Sequence, residues 1–293
     1  MNLHVLKTNL KNSKAPYAYH FRKYLKKKST SDLSWRIPLA SQVTCADSEM
    51  ARTLEVEAYN FFMDSAEHMK VTAPALVKDN CDSFVFNFID SITDVPNNRF
   101  SHDKSWKESN EKLGKVTLVP AIRASLKDLP IGKSGYISTA ERQSIASKDR
   151  RGIGKRPDVM FIASCNERVY ELIYCESSHI ICDEQKKEND KVKTWREMND
   201  GMYWAHKGCK LDKDEFGIIG IQVTRTEMHL NILIRGMDEI HRFYNLRTVK
   251  ILIQPTDGDM VFKFVETLLT IRICGMQFLF KFLFYLLKIN TYL

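Results

Sequence analysis

The first thirty-one residues contain no acidic side chain. They hold Lys7, Lys11, Lys14, Arg22, Lys23, Lys26, Lys27 and Lys28, and these eight cations equal the whole excess of 44 basic over 36 acidic residues. The rest of the chain is therefore neutral overall. A basic segment of this kind points to nucleic acid, an import receptor or another anionic surface, or else to a solvated tail. Secretory character is also missing, because no apolar run interrupts the stretch from Met1 to Tyr24. Seven cysteines, odd in number and irregularly spaced, do not form a disulfide framework. The expected setting is intracellular and reducing. Arg22-Lys23-Tyr24-Leu25-Lys26-Lys27-Lys28 looks like a nuclear-import patch, although the acid-poor start also admits a transit peptide. No Gly-rich loop follows a strand, so nucleotide-dependent chemistry has no support, and no spacing suggests a nucleophile elbow.

What is present suits a globular domain. The chain has 293 residues, 44% hydrophobic and 27% charged, which is enough to bury a sizeable core. The expected organisation is a basic N-terminal arm over 1–47, a principal domain over 48–272 and an apolar tail over 273–293. The stretch from Cys274 to Leu293 has no acid and is interrupted by Gln277, Lys281 and Lys288. A lysine near the centre of a span costs roughly 2.5–3.5 kcal/mol, so no stable membrane insertion is expected. The preferred reading of this tail is a gene-model artefact, translated non-coding sequence in place of the true C-terminus.

A helix is expected from 48 to 69, capped by Asp47 or Ser48. Phe84, Phe86 and Phe88 fit a strand or a helix, and 93–114 reads as a loop. The stretch from Lys133 to Arg156 reads as a Gly- and Ser-containing loop. Its Arg142, Lys148, Arg150, Arg151, Lys155 and Arg156 are candidates for tracking a phosphate backbone, or form an ordinary mobile surface. From Asp158 to Ala163 and from Val169 to Glu176 run two β-prone segments separated by Ser164-Cys165-Asn166-Glu167. A polar helix from 183 to 207 follows, with Val192, Trp195, Met198 or Asn199, and Met202 inward. Gly201 weakens it by roughly 1 kcal/mol relative to Ala, so a break is expected there. Strands at 216–224, 228–235 and 249–253 come next, then a helix capped by Asp257 or Asp259.

The chemistry rests on Asp158 and Glu176. If the two strands form an antiparallel hairpin turning near residue 167, these acids lie opposite one another or within a few residues. Facing Cβ atoms are about 4.5–5.5 Å apart. Carboxylates that close repel unless neutralised, and a hard divalent cation with oxygen ligands is the usual partner. Magnesium keeps bound waters, one of which can attack a phosphodiester.

Pro157-Asp158, a hairpin ending at Glu176, then a helix and a strand resemble the PD-(D/E)XK nuclease superfamily. Lys155-Arg156-Pro157-Asp158 and Tyr170-Glu171-Leu172-Ile173-Tyr174-Cys175-Glu176 also resemble paired segments in a lineage-expanded group of fungal proteins. The resemblance covers roughly 48–272. It implies an α/β (α+β) fold with a restriction-endonuclease-like mixed sheet flanked by helices, Asp158 and Glu176 as metal ligands, and Mg²⁺ as cofactor. One departure matters: Ser178 stands where the motif has lysine, and serine cannot supply the charge that orients an attacking water. Some members carry that lysine on the next helix, which makes Lys186, Lys187 and Lys191 the catalytic candidates. Glu57 on the first helix is a weaker candidate for a further acid.

Cys175, His179, Cys182, His206 and Cys209 offer a competing zinc reading, but their spacing does not match a standard finger and free Cys is often a small core residue. The resulting expectation is a nuclease-like protein that engages nucleic acid and hydrolyses phosphodiesters with Mg²⁺ through a degenerate site. The alternative is a catalytically inactive module that kept the fold for binding or interaction.

Overall fold

In the computed structural model, the described residues are 3–29, 34, 36–79, 118–127, 129, 135–138, 142–165, 168–178, 182–209, 216–236, 240–251 and 257–290; for 283–290 the backbone alone is described. Phe84, Phe86, Phe88, the segment 93–114 and His179 lie outside them.

The β-prone runs assemble into one seven-stranded mixed sheet in the order β1-β7-β6-β5-β4-β3-β2. These strands are β1 (Val43–Cys45), β2 (Gly135–Ser138), β3 (Val159–Cys165), β4 (Arg168–Ser177), β5 (Gly217–Thr224), β6 (Glu227–Arg235) and β7 (His241–Lys250). β1 pairs with β7 and β4 with β5 in parallel, and the remaining neighbours are antiparallel. β5 is buried along its whole length, as a central strand covered on both faces must be. The edge strands are short, three and four residues, which limits the unpaired backbone they expose. β7 begins well before the strand expected at 249–253 and ends at Lys250, while 252–256 lie outside the described residues.

Seven helices carry labels: α1 (Leu3–Asn12), α2 (Ala18–Lys26), α3 (Glu49–Arg52), α4 (Val56–Glu67), α5 (Ile145–Arg151), α6 (Glu184–Cys209) and α7 (Gly258–Asn290). Alternation along β5 assigns their faces. A Cβ on Gly220 would collide with Met198 Sδ of α6, whereas one on Gly217 would meet the Phe278 ring of α7 at 2.6 Å. α6 and α7 therefore cover opposite faces of the sheet. Tyr244 of β7 shares the α7 face through the register Ile219↔Ile232↔Tyr244. It meets Phe62 of α4, which in turn meets Tyr17 and Phe21 at the N-terminus.

Several expectations change here. The residues expected as an arm form α1, α2 and β1, and Leu6, Leu10, Phe21 and Leu25 are fully buried. Their i,i+4 spacing puts one apolar stripe on each helix, leaving lysines on the outside. The helix expected at 48–69 is two helices with a break after Arg52; the Ser48 hydroxyl caps the first by accepting from Ala51 N at 3.2 Å. The loop expected over 133–156 contains β2 and α5, the latter capped by Ser144. Asp257 caps α7 by accepting from Met260 N at 2.8 Å.

α6 runs unbroken through Gly201. The glycine is needed because the Tyr174 ring of β4 occupies the space a side chain would take: a Cβ there would lie 2.6 Å from the tyrosine hydroxyl. The tail also belongs to the fold. It continues α7, and Cys274, Phe278, Leu279 and Phe282 are buried, Phe278 and Phe282 packing on Phe216. Among the described residues no helix is long and apolar enough to cross a membrane.

Two outcomes test this packing. Gly201→Ala would stabilise a free helix by about 1 kcal/mol. Here overpacking outweighs propensity, so chemical denaturation should show a net loss of about 1–3 kcal/mol. Phe282→Ala should cost about 3–5 kcal/mol; an unchanged urea midpoint would show that the tail is foreign to the fold.

Candidate metal centre and basic cleft

The hairpin register places the two acids as the sequence suggests. Val159 faces Cys175, so one further step along the ladder sets Asp158 across from Glu176. The pairing slips by one residue between Phe161 and Ile162, which leaves Leu172 unpaired in β4. Without this bulge the pairing of Cys165 with Arg168 would put Asp158 opposite Cys175. Asp158 is further fixed by accepting a hydrogen bond from Ser177 N at 2.8 Å.

Glu176 is 2% exposed and points at α6. Lys193, two turns along that helix from Lys186, donates its ammonium to Glu176 Oε2. Glu197 lies one turn further on and is 1% exposed. Burial raises the Glu197 carboxyl well above the usual range, and the neighbouring Glu176 raises it further. Burial raises Glu176 as well, with Lys193 opposing and Asp158 adding to the shift. For Lys193, burial alone would lower the ammonium; Glu176, Glu197 and Asp158 reverse that and raise it. As carboxylates, Glu176 and Glu197 cannot hydrogen-bond to each other, and Glu176 Oε1 and both Glu197 oxygens have no hydrogen-bond partner. A proton carried by Glu197 turns this contact into a hydrogen bond. The centre thus combines three acids and one ammonium.

The lysine candidates sit elsewhere. Lys186 bonds Asp190 at 2.6 Å, and Lys191 pairs with Asp47 at 3.1 Å. Lys187 and Lys191 line a different cleft, against β5, β6 and β7. Ser178 donates its hydroxyl to Asp190, tying the end of β4 to α6. Glu57 is exposed on α4, which packs against β7, with β6 and β5 between that strand and β4.

The basic segment divides into two groups. Arg150 and Arg151 clamp the buried Asp200 of α6 at 3.2 and 2.8 Å, and Arg142 bonds the Tyr136 hydroxyl. Lys148 and Arg156 are exposed. Lys155 joins Arg36, Arg151, Lys193, Arg196 and Glu197 around a cleft of about 310 Å³ beside the acids. Burial lowers the Arg196 guanidinium, and the nearby Arg151 adds to that, so the wall is crowded with like charge. Such a wall favours an anion. Arg36 and Arg196 were missed from the sequence because neither adjoins the motif.

Zinc ligation finds no assembly among the described residues. Cys175 is buried in β4, and Arg235 donates to the His206 ring at 2.8 Å; the Cys209 side chain is not described. No group of three or more His, Cys, Asp or Glu side chains forms a ready metal cluster among the described residues. Comparison with family models, curated proteins and solved structures gives no match.

The raised Glu197 carboxyl has a pH signature. A carboxyl whose folded pKa is raised means the folded state binds more protons than the unfolded one above the ordinary value near 4.5. Stability then falls as pH rises from there toward the folded pKa, with a slope approaching 1.4 kcal/mol per unit for one proton, on the order set by linkage. Glu197→Gln should flatten that fall and be no less stable than wild type at neutral pH, as read from urea midpoints across pH 4–8.

Proposed function

We propose that this chain is a nuclease-like nucleic-acid-binding protein that hydrolyses phosphodiesters with Mg²⁺ at the Asp158–Glu176 centre. The observation that carries this reading is the Lys193 ammonium on Glu176, directly across the hairpin from Asp158. It supplies from α6 the positive charge that Ser178 cannot.

The donor set suits magnesium: the oxygens are hard carboxylates, and Glu176 Oε1 is buried without a partner. Asp158 and Glu176 would hold the ion, with Glu197 the nearest further acid. Bound there, Mg²⁺ would supply a water of lowered pKa and neutralise charge on the scissile phosphate. Lys193 keeps its charge beside the acids and is placed to orient the attacking water. The cleft wall of Arg36, Lys155 and Arg196 is placed to hold the phosphate backbone. Arg150 and Arg151 act indirectly by fixing Asp200, and so the part of α6 that follows Glu197.

A second reading, a catalytically inactive module that retains the fold for binding or interaction, is favoured by Ser178. Its hydroxyl is committed to Asp190, and Lys193 then only neutralises Glu176.

The two readings diverge in one assay. Wild type should cleave single- or double-stranded substrate in Mg²⁺ and lose cleavage in EDTA. Asp158→Ala and Lys193→Met should each reduce the rate by at least about 100-fold, the scale expected for removing a ligand or an acid–base group. Equal activity in wild type and Asp158→Ala sinks the catalytic reading.

A further inference from the structure

A second cleft lies apart from the acids. It measures about 460 Å³, and α6, the loop after β1, α4 and the β5–β7 surface enclose it. Its floor is polar where a sheet face is ordinarily apolar. Gln222 and Asn231 are only 5% and 4% exposed, yet both line it.

A chain of hydrogen bonds fixes which way these groups point. The Thr248 hydroxyl donates to Asn245 Oδ1 at 3.2 Å, so its oxygen is free to accept from His229 Nδ1–H at 3.0 Å. Burial lowers the His229 pKa, which suits this neutral ring. Asn245 Nδ2 donates to Asn231 Oδ1 at 3.1 Å, and Asn231 Nδ2 donates to the His229 carbonyl at 3.2 Å. Gln222 uses its Nε2 on the Lys187 carbonyl and on Thr224. Among the valences left over are one N–H of Asn231, the Gln222 Oε1 lone pairs and His229 Nε2, which is buried without a hydrogen-bond partner. Donor and acceptor sit on adjacent strands, on one face.

The walls add two further chemistries. Tyr59, 38% exposed, offers an aromatic surface, and Lys187 an ammonium at the rim. Lys191, by contrast, is already matched by Asp47.

We infer that this cleft is a nucleotide site: an amide-lined floor reads the donor–acceptor edge of a base, Tyr59 stacks on its face and Lys187 holds its phosphate. A planar edge with paired donor and acceptor, a π-face and an anion are the three features of a nucleotide that proteins recognise outside a duplex. The site is separate from Asp158 and Glu176, so it does not depend on the hydrolytic reading. Its ligand is either a free nucleotide or one residue of a single strand, and the two share this chemistry.

Calorimetric titration of the full chain with AMP, GMP, CMP and UMP, with the matching nucleosides and with a single-stranded hexanucleotide tests the assignment. At least one monophosphate should bind with submillimolar Kd. Tyr59→Ala should weaken it by roughly 5- to 100-fold, the range seen when base stacking is removed. Lys187→Gln should weaken the monophosphate several-fold and leave the nucleoside unchanged. Binding of the hexanucleotide with the same Tyr59 dependence, without binding of any monophosphate, assigns the site to a strand. Asp158→Ala should bind as wild type does, which separates this site from the centre proposed for hydrolysis. No binding of any of these ligands at millimolar concentration overturns the inference. So does binding that neither Tyr59→Ala nor Lys187→Gln alters.

Discussion

The contact between Glu176 and Lys193 is the constraint on which the arrangement around α6 depends. A carboxylate at that depth costs several kcal/mol unless a cation meets it. Lys193 meets it, but Asp158 and Glu197 place further acid within reach of the same ammonium. Along α6, Lys186, Asp190, Lys193, Glu197 and Asp200 recur at helical spacing, which makes them one stripe. Lys186 pairs with Asp190, Lys193 with Glu176, and Asp200 with Arg150 and Arg151, while Glu197 lies beside Glu176 with neither oxygen hydrogen-bonded. Beside this ionic stripe runs an apolar one of Trp195, Met198 and Met202, all buried against the sheet. Burial of that apolar stripe favours docking of the helix. Removing one partner of such a buried pair costs about 3–5 kcal/mol, because the other is left uncompensated.

The hairpin was legible in the sequence because strand side chains alternate with a period of two and the turn residues bound the register. The bulge at Leu172 was not legible. Lys193 was missed for a definite reason: a charged residue on a helix is ordinarily solvated, and no local feature separates it from Lys186, Lys187 or Lys191. The spacing of Asp190, Lys193, Glu197 and Asp200 carried the information, but only for a reader who already knew that the facing strand ends in buried acid. At the N-terminus composition overrode periodicity. The lysines suggested an arm, while Leu6 with Leu10 and Phe21 with Leu25 already marked two apolar faces. Composition likewise drew attention away from the helical periodicity of the tail, where Phe278 and Phe282 repeat the spacing of a buried helix face.

The two clefts divide the exposed chemistry of α6 between its sides. Lys193 and Glu197 face the hairpin acids, while Lys187, Glu188 and Lys191 face the polar floor of β5, β6 and β7. A helix whose two flanks are both polar has only a narrow apolar stripe with which to dock. Gly220 is part of the answer: lacking a side chain, it lets Met198 approach β5 closely. Gly201 does the same for Tyr174. These two close approaches allow one helix to be anchored on the sheet and still present polar groups on either side.

Stability alone gives no reason for such an acid-rich centre. Replacing a buried ion pair with apolar residues of similar volume is often neutral or stabilising, by about 1–4 kcal/mol. A fold maintained for packing would gain from leucine or methionine at Glu176, Lys193 and Glu197. Instead the chain places two further acids, Asp158 and Glu197, and one ammonium around Glu176, next to a cleft whose wall is crowded with cations. Strongly shifted carboxyls in a cleft are characteristic of sites that take up a charged ligand. The same reasoning assigns less to Asp190 and Asp200. Each of these has cations of its own, Lys186 for the first and Arg150 with Arg151 for the second, and neither needs a ligand to balance it. The unbalanced charge is concentrated at Glu176 and Glu197, and there a bound cation would relieve the conflict that the protein alone leaves standing.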